Sequence, residues 1–204
     1  MSPILVLGAF PPEIAPLPGL LPAGVLVRIC GVGLVDAALG TASELALLSP
    51  RSVIFLGTAG AFPGSGLSIG DVAVLRRTFL ADASSARGEA ALPDAMSAAI
   101  CADPDLSAAL ARGAPLVDVA TTLSITTSDA LACDLEGFVQ ASLEHLEAYA
   151  VARAAALAGV PFAAVLGVAN LVGQLGRSSW RAHHERASMA AAIHLAQGLA
   201  ALVG

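Results

Sequence analysis

Three polar side chains stand next to apolar runs in a chain that has few charged residues. Glu13 follows the run that ends at Gly8, Glu147 precedes eleven residues that contain one charge, and Asn170 follows a run that begins at Phe162. A partly buried carboxylate needs hydrogen-bond partners, and the vicinal hydroxyls of a ribose suit its two oxygens. An asparagine amide can donate to N7 or O6 of a purine. Glu147 and Asn170 are therefore candidates for nucleoside binding, and Glu13 is a third candidate because of its position.

Each of these residues also has a structural interpretation. The dipole of a helix favours a carboxylate at its start, which applies to both Glu13 and Glu147. Asparagine is common in turns, and Asn170 lies shortly before Gly173. The residue types alone leave both interpretations open.

Short apolar runs alternate with longer segments of helical character. Strands are predicted over 3–7, 24–30, 52–56, 71–75, 116–125 and 162–168, where 116–125 is either one strand or a pair of strands. Helices are predicted over 34–48, 96–112, 131–141, 147–158 and 180–202, with a break at Pro104 as an alternative. The segment 57–66 is predicted as a glycine-rich turn and 81–94 as a loop.

This alternation predicts an α/β fold. We expect residues 1–204 to form a single domain with three layers, α/β/α, around a central mixed and mostly parallel sheet. Ligands of such sheets bind beyond the carboxyl ends of the strands. The site is therefore expected near the segments that follow residues 7, 30, 56, 126 and 168.

The apolar composition raises the question of a membrane, because hydrophobic residues make up 56% of the chain. The segment 154–176 has 23 residues without a charge, a length that could span a bilayer. It contains Gly159 and Pro161 near its start, so we expect the end of a helix followed by a buried strand instead. No basic region precedes the first apolar run, and no signal peptide is predicted.

The charge and the cysteines indicate a cytoplasmic protein without a nucleic-acid partner. The net charge is −6, the chain has no lysine, and the ten arginines form no basic patch. The three cysteines have no metal-ligand spacing and are expected to be free thiols. The low charged fraction of 13% leaves much apolar surface to cover, which favours a homo-oligomer, most simply a dimer.

Gly31 and Gly33 follow the second predicted strand and match part of a dinucleotide-binding fingerprint. The third glycine is missing at its expected place, and no acidic residue ends the next strand near Leu56. A nicotinamide cofactor is therefore not expected. The two glycines are equally consistent with a turn and with a role near the ligand.

Six segments, in order along the chain, resemble motifs of the nucleoside phosphorylase superfamily. They are GAFPPEI at 8–14, GVGLVDAALGT at 31–41, VIFLGTAGAF at 53–62, LSIGDVAV at 67–74, TTSDAL at 126–131 and EHLEAYAVARAAALAGVPFAAVLGVAN at 144–170. The resemblance covers nearly the whole chain and is strongest with the nucleosidase branch. It implies a purine nucleoside as the substrate and calls for no metal and no organic cofactor.

The resemblance also implies roles for the three polar residues. Glu13 matches the glutamate that activates the attacking water, and Glu147 matches the glutamate that binds the ribose hydroxyls. Asn170 matches an acid that protonates the leaving purine in the methylthioadenosine nucleosidases. An amide is a poor general acid but suits a 6-oxopurine. The run from Asn170 through Arg177 to Trp180 resembles the futalosine hydrolases, which release hypoxanthine.

Five further residues match positions that contact the substrate in this superfamily. Thr58, with Ala59 beside it, matches a serine that helps to hold ribose and water. Leu131 and Ala132 match the wall against which the purine stacks and the backbone beside the edge of the purine. Leu146 matches a methionine that lies under the sugar.

Hydrolysis is favoured over phosphorolysis. Phosphorylases need fixed arginines for phosphate, and residues 1–27 contain none. A phosphorylase, a methylthioadenosine/adenosylhomocysteine nucleosidase and a non-catalytic nucleoside-binding protein stay as alternatives. Arg177 and Arg181 could meet the carboxylate of futalosine, or simply lie at an exposed helix start.

Overall fold

The apolar runs of the sequence form the strands of one sheet in a computed structural model, which describes residues 2–203. The strands are β1 Ile4–Gly8, β2 Val25–Ile29, β3 Ser52–Ala61, β4 Val72–Leu80, β5 Ala99–Cys101, β6 Leu116–Thr121, β7 Leu143–His145 and β8 Phe162–Leu171. The helices are α1 Pro11–Ile14, α2 Leu34–Leu48, α3 Ala83–Ala86, α4 Pro104–Ala111, α5 Asp129–Val139, α6 Ala148–Ala158 and α7 Gly176–Val203.

The sheet is mixed and mostly parallel, which confirms the predicted fold class. Strand β1 pairs in parallel with β2 and β3, β3 with β8, and β6 with both β4 and β7. Three pairings are antiparallel: β3 with β7, β4 with β5, and β4 with β8. Together these pairings close β3, β7, β6, β4 and β8 into a ring, in which each of the five strands is paired on both sides.

Helices cover both faces of the sheet, and the side chains of β1 pack against helices on each face. Leu5 and Leu7 are buried in one cluster with residues of α2 and α6, while Ile4 and Val6 are buried in another with residues of α4 and α7. Successive side chains of a strand point to opposite faces, so one strand contributes to both clusters. Each fully buried aliphatic side chain of this kind contributes about 2 kcal/mol.

Much of the alanine-rich composition lies where helices pack closely. Ala148, Ala152 and Ala155 of α6 are buried in the cluster that also holds Ala37 of α2. The uncharged segment 154–176 forms the end of α6, all of β8 and the turn after it. Within residues 2–203, no helix combines the length and the apolar character that a membrane span requires.

The glycine-rich segment after residue 56 differs from its prediction. A turn was expected from residue 57, but β3 continues to Ala61 and pairs with β8 over this stretch. A register shift between Ala59 and Gly60 lets the two strands stay paired. Gly57 and Gly60 are therefore strand residues at a place where other groups come close, rather than turn residues.

The predicted helix over 96–112 is wrong in its first half. Residues 99–101 form β5 on the edge of the sheet, and α4 begins only at Pro104. Asp103 caps this helix, since its Oδ1 accepts from the Leu106 N–H at 2.9 Å. Proline at the first helical position and a capping aspartate fix the start together.

Candidate active site

A cavity of about 350 Å³ opens at the carboxyl ends of β1, β3 and β8. This is the edge of the sheet at which the sequence predicts the site. The cavity is lined by six of the eight residues that the sequence singles out, namely Glu13, Thr58, Ala59, Leu146, Glu147 and Asn170. Residues that are distant in the sequence therefore converge on one space of the size that a nucleoside-like ligand requires.

Glu13 lies in the short helix α1, just beyond β1, and is only 3% exposed. Its Oε1 accepts from the Thr58 N–H at 2.9 Å and from the Thr58 hydroxyl at 3.0 Å, and its Oε2 accepts from the Ala9 N–H at 3.0 Å. Burial, with a smaller contribution from the charge of Glu147, raises the pKa of Glu13 to about 7. A carboxylate with such a pKa can both accept and release a proton near neutral pH.

The Thr58 hydroxyl is the middle of a directed chain of hydrogen bonds. The indole Nε1–H of Trp180 donates to Thr58 Oγ1 at 3.0 Å. The indole N–H can only donate, so the Thr58 hydroxyl accepts this hydrogen bond and donates its own hydrogen bond to Glu13. Trp180 also faces Phe10, with 6.0 Å between ring centroids. Helix α7 is thus connected to Glu13 through one hydroxyl group.

Glu147 is the residue that immediately precedes α6, and it is 5% exposed. Its Oε1 accepts from the Gly33 N–H at 2.7 Å. Gly33 has φ of +84°, a conformation that favours glycine, so the turn after β2 presents this N–H to the carboxylate. Within residues 2–203 no N–H or O–H donates to the other oxygen, Oε2, which leaves it available for a ligand in the cavity.

His145 lies beside Glu147 at the end of β7 and is neutral. Its Nδ1 accepts from the backbone N–H groups of Glu147 at 3.0 Å and Ala148 at 3.2 Å. Nδ1 also lies 3.1 Å from Glu147 Oε2, the length of an ion pair. Two N–H donors already point at the Nδ1 lone pair, and burial lowers the pKa of the imidazole. We therefore assign the proton to Nε2 and do not count the contact as an ion pair.

Asn170 belongs to β8, which runs three residues further than predicted, and is 8% exposed. Its Nδ2 donates to the Leu171 carbonyl at 2.9 Å. Gly60 and Gly176 leave space for this amide, because a Cβ on either would lie within 3.1 Å of Nδ2. The second Nδ2 hydrogen and Oδ1 have no hydrogen-bond partner within residues 2–203, so the amide can still bind a ligand.

Leu131 and Ala132 do not line the cavity, which corrects their predicted place in the purine wall. Helix α5 begins at Asp129 after a cap by Ser128, whose Oγ accepts from the Leu131 N–H at 3.4 Å. The two residues therefore sit in the first turn of a helix. Ala132 is fully buried in the core there.

Ile125 lines the cavity on this side instead. Its loop is held by Glu144, which accepts from both the N–H and the hydroxyl of Thr126. Burial raises the pKa of Glu144. Glu144 is thus a buried carboxyl group that holds this loop in place.

Helix α7 contributes three residues to the site, of which the sequence offered Arg177 and Arg181 as one of two interpretations and gave Trp180 no contact. Arg177, Trp180 and Arg181 line the cavity, and their spacing puts them on one helix face. The prediction started this helix at Trp180, whereas it begins at Gly176. The spacing of three residues from Arg177 to Trp180 and of four to Arg181 could have indicated a shared helix face. It does so only once the helix is known to include residue 177.

Comparisons with known proteins agree with this geometry. Residues 3–203 match the sequence profile of the family described as "Phosphorylase superfamily". A futalosine hydrolase of Thermus thermophilus is 32% identical over 187 residues, which cover 86% of this chain and 82% of that protein. A 5'-methylthioadenosine/S-adenosylhomocysteine nucleosidase of Chromohalobacter salexigens is 31% identical over 181 residues, which cover 83% of this chain and 76% of that protein.

Solved structures share the fold over nearly the full length. One is the 5'-methylthioadenosine/S-adenosylhomocysteine nucleosidase from Helicobacter pylori, crystallised with butyl-thio-DADMe-Immucillin-A. It superposes with a TM-score of 0.88 at 20% identity, over 98% of each chain. The native futalosine hydrolase of Helicobacter pylori gives 0.84 at 21% identity, over 99% of this chain and 97% of that one. At these identities the likeness concerns the fold.

Proposed function

The chain belongs to the phosphorylase superfamily, and we propose that it is a nucleosidase, an N-ribosyl hydrolase that cleaves the bond between a purine and its ribose. The relatives named futalosine hydrolase and 5'-methylthioadenosine/S-adenosylhomocysteine nucleosidase support hydrolysis of an N-glycosyl bond. The proposed substrate within this class is futalosine, which would be split into hypoxanthine and the remaining sugar derivative.

The observation that carries the proposal is the environment of Glu13. Its carboxylate is buried in the cavity, held by three donors, and has a pKa of about 7. A general base works best when its pKa lies near the operating pH. A protein that only binds nucleosides has no need of such a group, which argues against a non-catalytic binding protein.

In the proposed mechanism the glycosidic bond breaks largely before water attacks. The purine leaves with the bonding electron pair and takes one proton from solvent at a ring nitrogen, while the sugar passes through an oxocarbenium-like state. Glu13 takes a proton from the water that adds to the anomeric carbon. Glu147 binds the ribose hydroxyls through its free Oε2, and Asn170 binds the edge of the base.

Leu146, Thr58 and Ala59 complete the proposed sugar subsite. All three line the cavity beside Glu13 and Glu147. Leu146 offers an apolar surface for one face of the ribose. The Thr58 hydroxyl also donates a hydrogen bond to Glu13 and so helps to orient this carboxylate beside the sugar.

Two features favour futalosine over an adenine nucleoside. Asn170 stands where a general acid would be needed for adenine, and its amide suits a 6-oxopurine. Arg177 and Arg181 line the cavity and are exposed there, without an acidic partner at ion-pair distance within residues 2–203. Arginine binds carboxylates through paired hydrogen bonds, and futalosine carries a carboxylate.

A methylthioadenosine/adenosylhomocysteine nucleosidase is the second candidate, because relatives of that name cover most of the chain. A purine nucleoside phosphorylase is the third, since Arg177 and Arg181 could bind phosphate instead of a substrate carboxylate. A homodimer in the cytoplasm stays part of the proposal. Val32, which lines the cavity, and Val35 and Leu39 of α2 support the dimer, because all three are exposed apolar side chains close together in the chain.

The test is to incubate the purified protein with futalosine, inosine, methylthioadenosine and adenosylhomocysteine, with and without phosphate, and to follow the free base by chromatography. Hypoxanthine release from futalosine without phosphate is expected. Release that requires phosphate would identify a phosphorylase. Adenine release would keep the reaction but overturn the inference from Asn170, and no release from any substrate would overturn the proposal.

A further inference from the structure

His145 is a buried polar side chain for which the mechanism above has no task. Its side chain is 2% exposed, yet the residue borders the cavity between Glu13 and Glu147. A histidine enclosed to this degree keeps its place only if its two ring nitrogens are satisfied. Within residues 2–203 only one of them, Nδ1, has a hydrogen-bond partner.

The Nδ1 atom holds the start of helix α6. It accepts from the N–H groups of Glu147 and Ala148, two of the donors that a helix start leaves without partners inside the helix. The imidazole thus takes the place of a capping side chain and fixes the backbone that carries the Glu147 carboxylate. This bonding also makes Nε2 the protonated nitrogen, which can only donate.

The Nε2 atom lies close to Glu13 across Gly57. A Cβ on Gly57 would lie 3.0 Å from His145 Nε2 and 3.3 Å from Glu13 Oε1. The same Cβ would lie 2.7 Å from a ring carbon of Phe55, so the space has no room for any side chain but that of glycine. Absence of a side chain here leaves the space between His145 Nε2 and Glu13 Oε1 open, and both residues also line the cavity.

Packing fixes the plane of the imidazole. Phe55 meets it edge to face, with 5.1 Å between centroids and 87° between the ring planes. Two backbone donors on one side and an aromatic ring on another leave little freedom to rotate. The titratable groups near it are Glu147, Glu13 across Gly57 and the adjacent Glu144, all buried.

We propose that His145 is a second contact of the nucleophilic water: its Nε2–H donates to the water oxygen while Glu13 accepts a proton from the same water. The inference rests on the proposed hydrolysis. A water held by one donor and one acceptor keeps a lone pair directed at the anomeric carbon. The proton that Glu13 takes from this water is released to solvent at the end of the turnover. His145 stays neutral throughout, and Glu13 alone changes its protonation state.

Two variants separate the tasks of the two ring nitrogens. In His145→Asn the side-chain oxygen can replace Nδ1 as acceptor, but no donor reaches the place of Nε2. In His145→Gln the amide can place an N–H near Nε2, but the acceptor for α6 is lost. We expect the Asn variant to keep its Tm and to lose about tenfold in kcat, the usual scale for one hydrogen bond in a transition state. The Gln variant is expected to keep more kcat and to lose Tm.

A second measurement reports the contact with water directly. In water containing methanol, both nucleophiles compete for the same sugar intermediate, and the ratio of methyl glycoside to free sugar is independent of kcat. We expect His145→Asn to change this ratio several-fold relative to the wild type, whereas Glu185→Gln, on the exposed surface of α7, leaves it unchanged.

The outcomes are distinct. An Asn variant with wild-type kcat, or one with a lower kcat but an unchanged product ratio, would overturn the role of His145 while the hydrolase function stands. A wild-type protein that releases no base from any nucleoside tested would overturn the function, and this inference with it.

Discussion

The two ends of the cavity are built in opposite ways. At the buried end, Glu13 and Glu147 are held by backbone N–H groups from Ala9, Gly33 and Thr58, on three separate segments of the chain. At the exposed end, the residues Arg177, Trp180 and Arg181 all come from one face of α7. One helix face can change without disturbing the sheet.

The difference separates chemistry from selectivity. Groups that move protons must be fixed closely, and donors from several strand ends provide that restraint. Groups that recognise the outer part of a substrate need charge and shape but less restraint. We therefore expect changes at the buried end to alter kcat and changes at the exposed end to alter the choice of substrate.

The largest effect is expected from Glu13→Gln, which removes the base at the buried end. General base catalysis contributes about 10²- to 10⁴-fold, so kcat should fall by about 10³-fold while KM changes little. Steady-state kinetics with futalosine measures both. Glu185→Gln on the exposed surface of α7 is the matched control and should behave like the wild type. A Glu13→Gln variant with more than a tenth of the wild-type kcat would remove Glu13 from the mechanism.

A second test of the buried end is the pH dependence of kcat/KM. Burial raises the pKa of Glu13 to about 7, so the carboxyl group is protonated, and unable to accept a proton, below that pH. We expect kcat/KM to fall about tenfold for each pH unit below 7 and to level off above it. A profile that stays flat down to pH 5 would contradict this assignment.

At the exposed end, replacing both Arg177 and Arg181 by alanine should raise KM for futalosine about tenfold, a modest effect because exposed ion pairs are weak. Inosine, which lacks the carboxylate, should be cleaved as by the wild type. Arg186→Ala, further along the same helix, is the control for loss of positive charge. An equal loss with both substrates would show that these arginines do not select the substrate.

The smallest effect is expected where the two ends meet, in Trp180→Phe. This change keeps an aromatic ring against Phe10 but removes the N–H that donates to Thr58. We expect kcat to fall about threefold, the cost of one neutral hydrogen bond that acts through another residue. In a Thr58→Val background the same change should have no further effect, because the hydroxyl is already gone. Additive losses would show that Trp180 does not act through Thr58.

Much of the buried end could be predicted from the sequence, because its residues follow apolar strands. Helix α2 has the predicted bounds of 34–48, and β1 and β2 differ from prediction by one residue at each end. These elements have clear periodicity and clear ends. Glu13 and Asn170 then follow from the rule that ligands bind at the carboxyl ends of parallel strands.

The parts that were missed depend on contacts between distant segments. The extension of β3 over 57–61 is stabilised by β7 and β8, whose pairing no local pattern reveals. The places of Leu131 and Ala132 depend on the helix cap at Ser128, which shifts the start of α5 by two residues. His145 was passed over because a histidine beside two glutamates gives no periodic signal.

The hydrogen bond from Gly33 to Glu147 joins residues 114 positions apart, and the ring of strands closes only when β8 pairs with β3 and β4. Contacts of such long sequence separation form late in folding, because the loops that they close are costly in entropy. Refolding from denaturant should therefore restore helix content before the site exists. Recovery of enzymatic turnover would then lag behind recovery of circular dichroism and would mark the moment at which the chain is completely folded.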